Sequence, residues 1–79
     1  MSISNEAVKE MIQAQIPDAQ IEVNGDGYKY EAEVVSDAFA GLSTLKRHQR
    51  VYAAVNAAIT SGQLHALTIR TFTPAEKAA

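Results

Sequence analysis

The chain has 79 residues, 47% hydrophobic and 20% charged, with a net charge of −2, which bounds it to one small domain of globular and not disordered composition. It has no cysteine, so disulfides, thiolate metal sites and thiol nucleophiles are excluded, in keeping with a reducing, cytoplasmic setting. The negative balance argues against a whole-domain nucleic-acid footprint, and no apolar run approaches the ~20 residues of a membrane span.

The N-terminal segment is predicted to be a helix and not a leader, because Glu6, Lys9, Glu10 and Gln13 interrupt any continuous apolar region. Ser4 is placed to cap it, Ile3 and Val8 have the spacing of a hydrophobic staple, and Val8, Met11, Ile12 and Ile16 form the apolar stripe. Pro17 disfavours helix at Ile16 and ends the element there.

Two strands follow. Ala19, Ile21 and Val23 alternate with polar neighbours, NGDG (24–27) supplies positive-φ residues for a hairpin, and Tyr28, Tyr30, Ala32 and Val34 alternate with Lys29, Glu31 and Glu33. That alternation describes a sheet with one covered face and one wet face. SDAFAGLS (36–43) reads as a turn or short helix stopped at Gly41.

A long helix is predicted from Thr44 to about Ser61, with Gly62 at C′ and a buried stripe of Leu45, His48, Tyr52, Val55 and Ile59, widened by Val51, Ala54 and Ala58. The third strand runs from Leu64 to Phe72. TPAE (73–76) has capping-box spacing, but only three residues remain beyond it, enough for one turn at most.

The order is α-β-β-α-α-β, a single α+β domain over residues 1–79. The long 36–63 connection allows strand three to run parallel to strand two. Neighbouring parallel strands start at the same end of the sheet, which puts His65 beside the NGDG loop.

His65 has two readings: a packed strand-end ring, or an imidazole presented from the sheet rim as a metal ligand. One histidine cannot hold a metal alone, and the only nearby donors are Asp26 and the tyrosines, so a metal role needs ligands from a partner. KRHQR (46–50) is the only basic cluster. Lys46, Arg47 and Arg50 on exposed helix faces describe either a solvated surface or a surface meeting phosphates. His48 falls on the apolar stripe. NGDG joins two strands and opens no helix, so it is no phosphate cradle. No serine or carboxylate has a base at motif spacing, and an enzyme is not expected.

VVSDAFAGLSTLKRHQRVY (34–52) followed by LHALTIRTFTPAE (64–76) resembles the BolA family, and within it the IbaG-like branch. The resemblance spans roughly residues 4 to 76 and rests on V-S-x-x-F-x-G, R-H-x-x-V-Y, H-A-L and T-P-x-E taken together. It implies a class II KH-like α+β fold, a three-stranded mixed sheet covered by helices on one face. It also implies a non-enzymatic adaptor that partners a monothiol Cys-Gly-Phe-Ser glutaredoxin in iron–sulfur handling or iron sensing. A [2Fe-2S] cluster would be shared with glutaredoxin and glutathione, and the family's H-A-L histidine, a cluster ligand, maps onto His65. Lys29, Arg70 and His65 are then the expected partner-binding residues.

The chain departs from the family pattern twice. The second His or Cys expected before strand two is absent, with Lys29 ahead of Tyr30, which leaves Asp26 or Tyr28 as candidate second ligands. Lys77 stands where a tryptophan often follows the T-P-x-E box, which predicts a weak or absent C-terminal helix. The runner-up reading is a DNA-binding transcriptional or stress-morphology regulator using Lys46, Arg47 and Arg50. A third is a metal-free interaction module. AGLST (40–44) has one glycine, so no KH-type G-x-x-G clamp is expected.

Overall fold

The computed structural model describes residues 3–79, in the order α1 (Asn5–Gln15), β1 (Gln20–Gly25), β2 (Lys29–Val35), a 3₁₀ turn (Asp37–Phe39), α2 (Thr44–Thr60), β3 (Ala66–Phe72) and α3 (Pro74–Ala78). The α+β architecture is as expected, with one of the two central helices reduced to a single 3₁₀ turn.

α1 starts where the sequence marks it: the Ser4 hydroxyl accepts the Ala7 N–H, and Val8, Ile12 and Ile16 face inward with no exposed surface. The sheet order is β1-β2-β3. β1 and β2 are antiparallel with Val23 opposite Ala32, and β2 and β3 are parallel with Ala32 opposite Ile69. Tyr30, Ala32, Val34 and Ile69 turn to the helix side and meet α1 and α2. Phe39, from the 3₁₀ turn, is fully buried in the same core.

The hairpin uses only one of its glycines for backbone freedom, since Gly27 alone has positive φ there (96°). Gly25 is required by close approach. A Cβ there would stand 2.5 Å from a Tyr30 ring carbon. The Tyr30 hydroxyl donates to the Ile3 carbonyl, which locks that ring.

α2 is turned about its axis relative to the sequence expectation. Val51, Val55 and Ala58 are its buried residues, whereas Leu45 (67%), Tyr52 (40%) and Ile59 (38%) are exposed. The apolar arc of this helix is wider than the groove it fills. Small residues let it sit close to the sheet, and the larger side chains flank the contact.

α3 is the short turn that the capping-box spacing predicts, Thr73 and Glu76 each accepting the other's backbone N–H, and it is present although Lys77 stands where an aromatic anchor was expected. It buries nothing itself. Polar contacts hold it: a two-pronged Arg47–Glu76 pair with 2.6 and 3.1 Å contacts, and Lys77 reaching Glu33 at 2.8 Å. The Lys77 ammonium lies 5.3 Å from the Phe72 ring centre, a cation–π contact that adds to the hold on α3. No helix of the described residues is long and apolar enough to cross a membrane.

Candidate functional site

The parallel β2–β3 register begins with Lys29 opposite Ala66. Extended one residue back, it sets Tyr28 opposite His65. His65 is the residue just before β3, exposed at the end of the sheet where β2 also starts. The hairpin turn delivers Tyr28 onto it: the two rings stack with centroids 4.5 Å apart and planes 30° apart. The expected juxtaposition of His65 with the loop is therefore present. The stacking partner is a contact that strand pairing alone does not specify.

Tyr28 arrives there because Asp26 organises the turn. One Asp26 carboxylate oxygen accepts the Tyr28 and Lys29 backbone N–H groups at 2.9 and 2.8 Å. These bonds, the one from Lys29 foremost, lower the Asp26 pKa below its ordinary value. Asp26 is thus ionised but half committed to the backbone, while Tyr28 offers His65 a ring face. Among the described residues, no group of three or more His, Cys, Asp or Glu side chains converges as a metal cage. His65 supplies one exposed imidazole, and any metal centre here needs its other ligands from another molecule.

The remaining candidates are dispersed. Lys29 is exposed on the wet face at the start of β2, near His65. Arg70 lies on the same wet face opposite Glu33, roughly 16 Å along β3 from His65 at about 3.3 Å per residue, so it does not share the site. In the basic helix, Lys46 and Arg50 are exposed as expected. Arg47 is not: its side chain is 13% exposed, donating to the Leu42 carbonyl and paired with Glu76. That pair raises the Arg47 pKa and, with the Thr73 N–H, holds Glu76 down at about 2. His48 is half-buried beside the core.

Comparison with known proteins places these features in a family. The family model described as BolA-like protein matches residues 1–76. The acid stress protein IbaG of Escherichia coli is 29% identical over 74 residues, covering 94% of this chain and 88% of the relative. Among solved structures, a BolA homologue from Coxiella burnetii superposes with a TM-score of 0.85 at 29% identity, covering 98% of this chain and 99% of that one. The BolA domain of SufE1 from Arabidopsis thaliana gives 0.79 at 32% identity, covering 96% and 98%.

Proposed function

This chain belongs to the BolA family, and from that premise we propose that it is a non-enzymatic cytoplasmic adaptor for a monothiol glutaredoxin in iron–sulfur handling or iron sensing. The link to iron–sulfur chemistry draws support from the likeness to a BolA domain found within a SufE protein. The observation that carries the reading is the exposed His65 imidazole, held at the rim of a rigid sheet against Tyr28.

The donor set fits a shared [2Fe-2S] cluster and does not fit one held by this chain alone. His65 would take one iron through a neutral ring nitrogen, and thiolates of glutaredoxin and glutathione would complete the centre. Such a cluster supplies one-electron chemistry and a transferable iron–sulfur unit. This chain orients the imidazole. The Tyr28 ring covers one face of it and restrains its rotation, and Asp26 fixes the turn that carries Tyr28.

The competing DNA-binding reading loses one of its three cations, because Arg47 is neutralised by Glu76. The experiment is a titration of the protein into apo and cluster-loaded monothiol glutaredoxin by calorimetry. The adaptor reading expects binding in both states, and tighter binding to the loaded form only when His65 is present. Equal affinity for both forms, unchanged in His65→Ala, would instead indicate a metal-free interaction module.

A further inference from the structure

The sheet aims the His65 site toward its helix side. Side chains alternate along a strand, so His65 shares its side with Leu67 and Ile69, and Tyr28 shares its side with the buried Tyr30. Both rings therefore stand on the side covered by α1 and α2, away from the wet face of Lys29, Glu31, Glu33 and Arg70. α2 leads into β3 through residues 61–65 and so runs back along it. The Tyr52 hydroxyl donates to the Leu67 carbonyl at 3.2 Å. Leu67 follows His65 by two residues, ~7 Å along the strand.

Among the described residues the exposed large apolar side chains are Tyr28, Leu45, Tyr52 and Ile59, and they are not scattered. Tyr28 stacks on His65. The other three recur every seven residues on one flank of α2, which Tyr52 ties to β3. Ile59 lies two turns from Tyr52, ~10 Å toward the α2 end that leads into His65, and Leu45 lies as far the other way. One run of apolar surface thus extends from Tyr28 and His65 past Ile59 and Tyr52 to Leu45. Gln49 and Asn56 are the exposed polar residues of that flank. Lys46, Arg47 and Arg50 stand roughly 120–160° around the helix from Tyr52. A flank with a central tyrosine and no cation has the composition of a protein interface and offers nothing to phosphates.

We propose that the protein supplying the thiolate ligands at His65 also docks on this α2 flank, laying an apolar patch beside its thiolate across Ile59 and Tyr52. Continuity selects this occupant. His65 belongs to no group of three metal-binding side chains among the described residues, so a partner must reach the rim to complete a centre, and the apolar run starts at that rim. Buried aromatic and aliphatic contact gives such a partner a hold that one metal–imidazole bond lacks. The metal-free pair therefore forms through the same surface. This rests on the adaptor reading, in which the partner is a monothiol glutaredoxin, and adds a division of labour: α2 holds the partner and His65 engages the cluster.

The test is calorimetric titration of apo monothiol glutaredoxin into the protein and its variants. Tyr52→Ser combined with Ile59→Ser should weaken binding at least tenfold, with urea denaturation confirming that the variant folds. A second readout removes no packing. Asn56 and Ala57 are exposed neighbours on α2, about 40° and 140° around the helix from Tyr52. Asn56→Arg should weaken binding at least fivefold, and Ala57→Arg less than twofold. His65→Ala should leave the apo affinity within twofold of wild type. The proposal is overturned if wild type binds and the Tyr52–Ile59 and Asn56 variants bind equally well, an outcome that leaves the adaptor reading standing. Equal weakening by Asn56→Arg and Ala57→Arg would also overturn it, since no one flank would then carry the contact. If wild type binds neither apo nor loaded glutaredoxin, the adaptor reading fails and this docking face fails with it.

Discussion

Tyr28 and His65 face each other as the residues immediately preceding β2 and β3, and their rings stack at 4.5 Å because the two strands run parallel from the same end of the sheet. The stack makes His65 a restrained ring on an otherwise exposed rim. Tyr28→Ala should release it and move the His65 ring-proton resonances by loss of the neighbouring ring current. An exposed aromatic contact of this kind is worth on the order of 0.5–1 kcal/mol, so complex lifetime with a loaded glutaredoxin should fall about two- to five-fold. Tyr28→Phe keeps the ring and removes the hydroxyl. It should behave as wild type, whereas a loss as large as that of Tyr28→Ala would mean that the hydroxyl is itself a ligand.

The hold on α3 should fail in acid. Glu76 is depressed from 4.5 to about 2 by the Arg47 guanidinium first and the Thr73 N–H second. A carboxyl held below its ordinary value stabilises the docked form fully above pH 4.5 and loses that contribution as pH falls toward about 2. The Thr73 and Lys77 amide resonances should therefore move toward random-coil positions across that interval, while core amides such as Val55 stay fixed. Glu76→Gln should produce the same undocked spectrum at neutral pH.

The orientation of α2 makes a contrast that a stability measurement can read. Val55→Ala removes two methyl groups from a fully buried site and should cost on the order of 2 kcal/mol. Leu45→Ala, at a residue 67% exposed, should stay within about 0.5 kcal/mol of wild type. Urea denaturation of both variants checks the pair. Equal losses would mean that Leu45 is a core residue after all.

Gly25 offers a third stability test. An added methyl group would lie 2.5 Å from Tyr30 and 3.0 Å from the Lys29 carbonyl oxygen, so Gly25→Ala should destabilise by roughly 1–3 kcal/mol. Gly25→Ala with Tyr30→Leu should recover part of that loss, as the ring is the nearest obstacle.

What could be read from the residues, and what could not, follows from the range of each interaction. Caps, the Pro17 stop and the period-two strands are local signals, and Ser4, Ile16, Gly62 and the β2 alternation all take their expected roles. The sheet rim position of His65 was also legible, because a parallel crossover fixes which strand ends meet. The rotation of α2 was not. Its apolar arc spans more of the helix than the sheet can cover, and only packing decides that Val51 and Val55 go in while Leu45 stays out. The strength of α3 was missed because its support is non-local: Arg47 and Glu33 lie 29 and 44 residues from their partners Glu76 and Lys77. The same distance hid the loss of Arg47 from the exposed basic cluster.

The central claim is that His65 ligates a cluster shared with a glutaredoxin. Pulsed electron paramagnetic resonance of the reduced complex, formed from this protein and a [2Fe-2S]-loaded monothiol glutaredoxin, tests it most directly. The account predicts a nitrogen hyperfine coupling typical of a directly bound imidazole in the wild-type complex, and its absence in His65→Ala. A spectrum without imidazole coupling, or one that His65→Ala leaves unchanged, would contradict it.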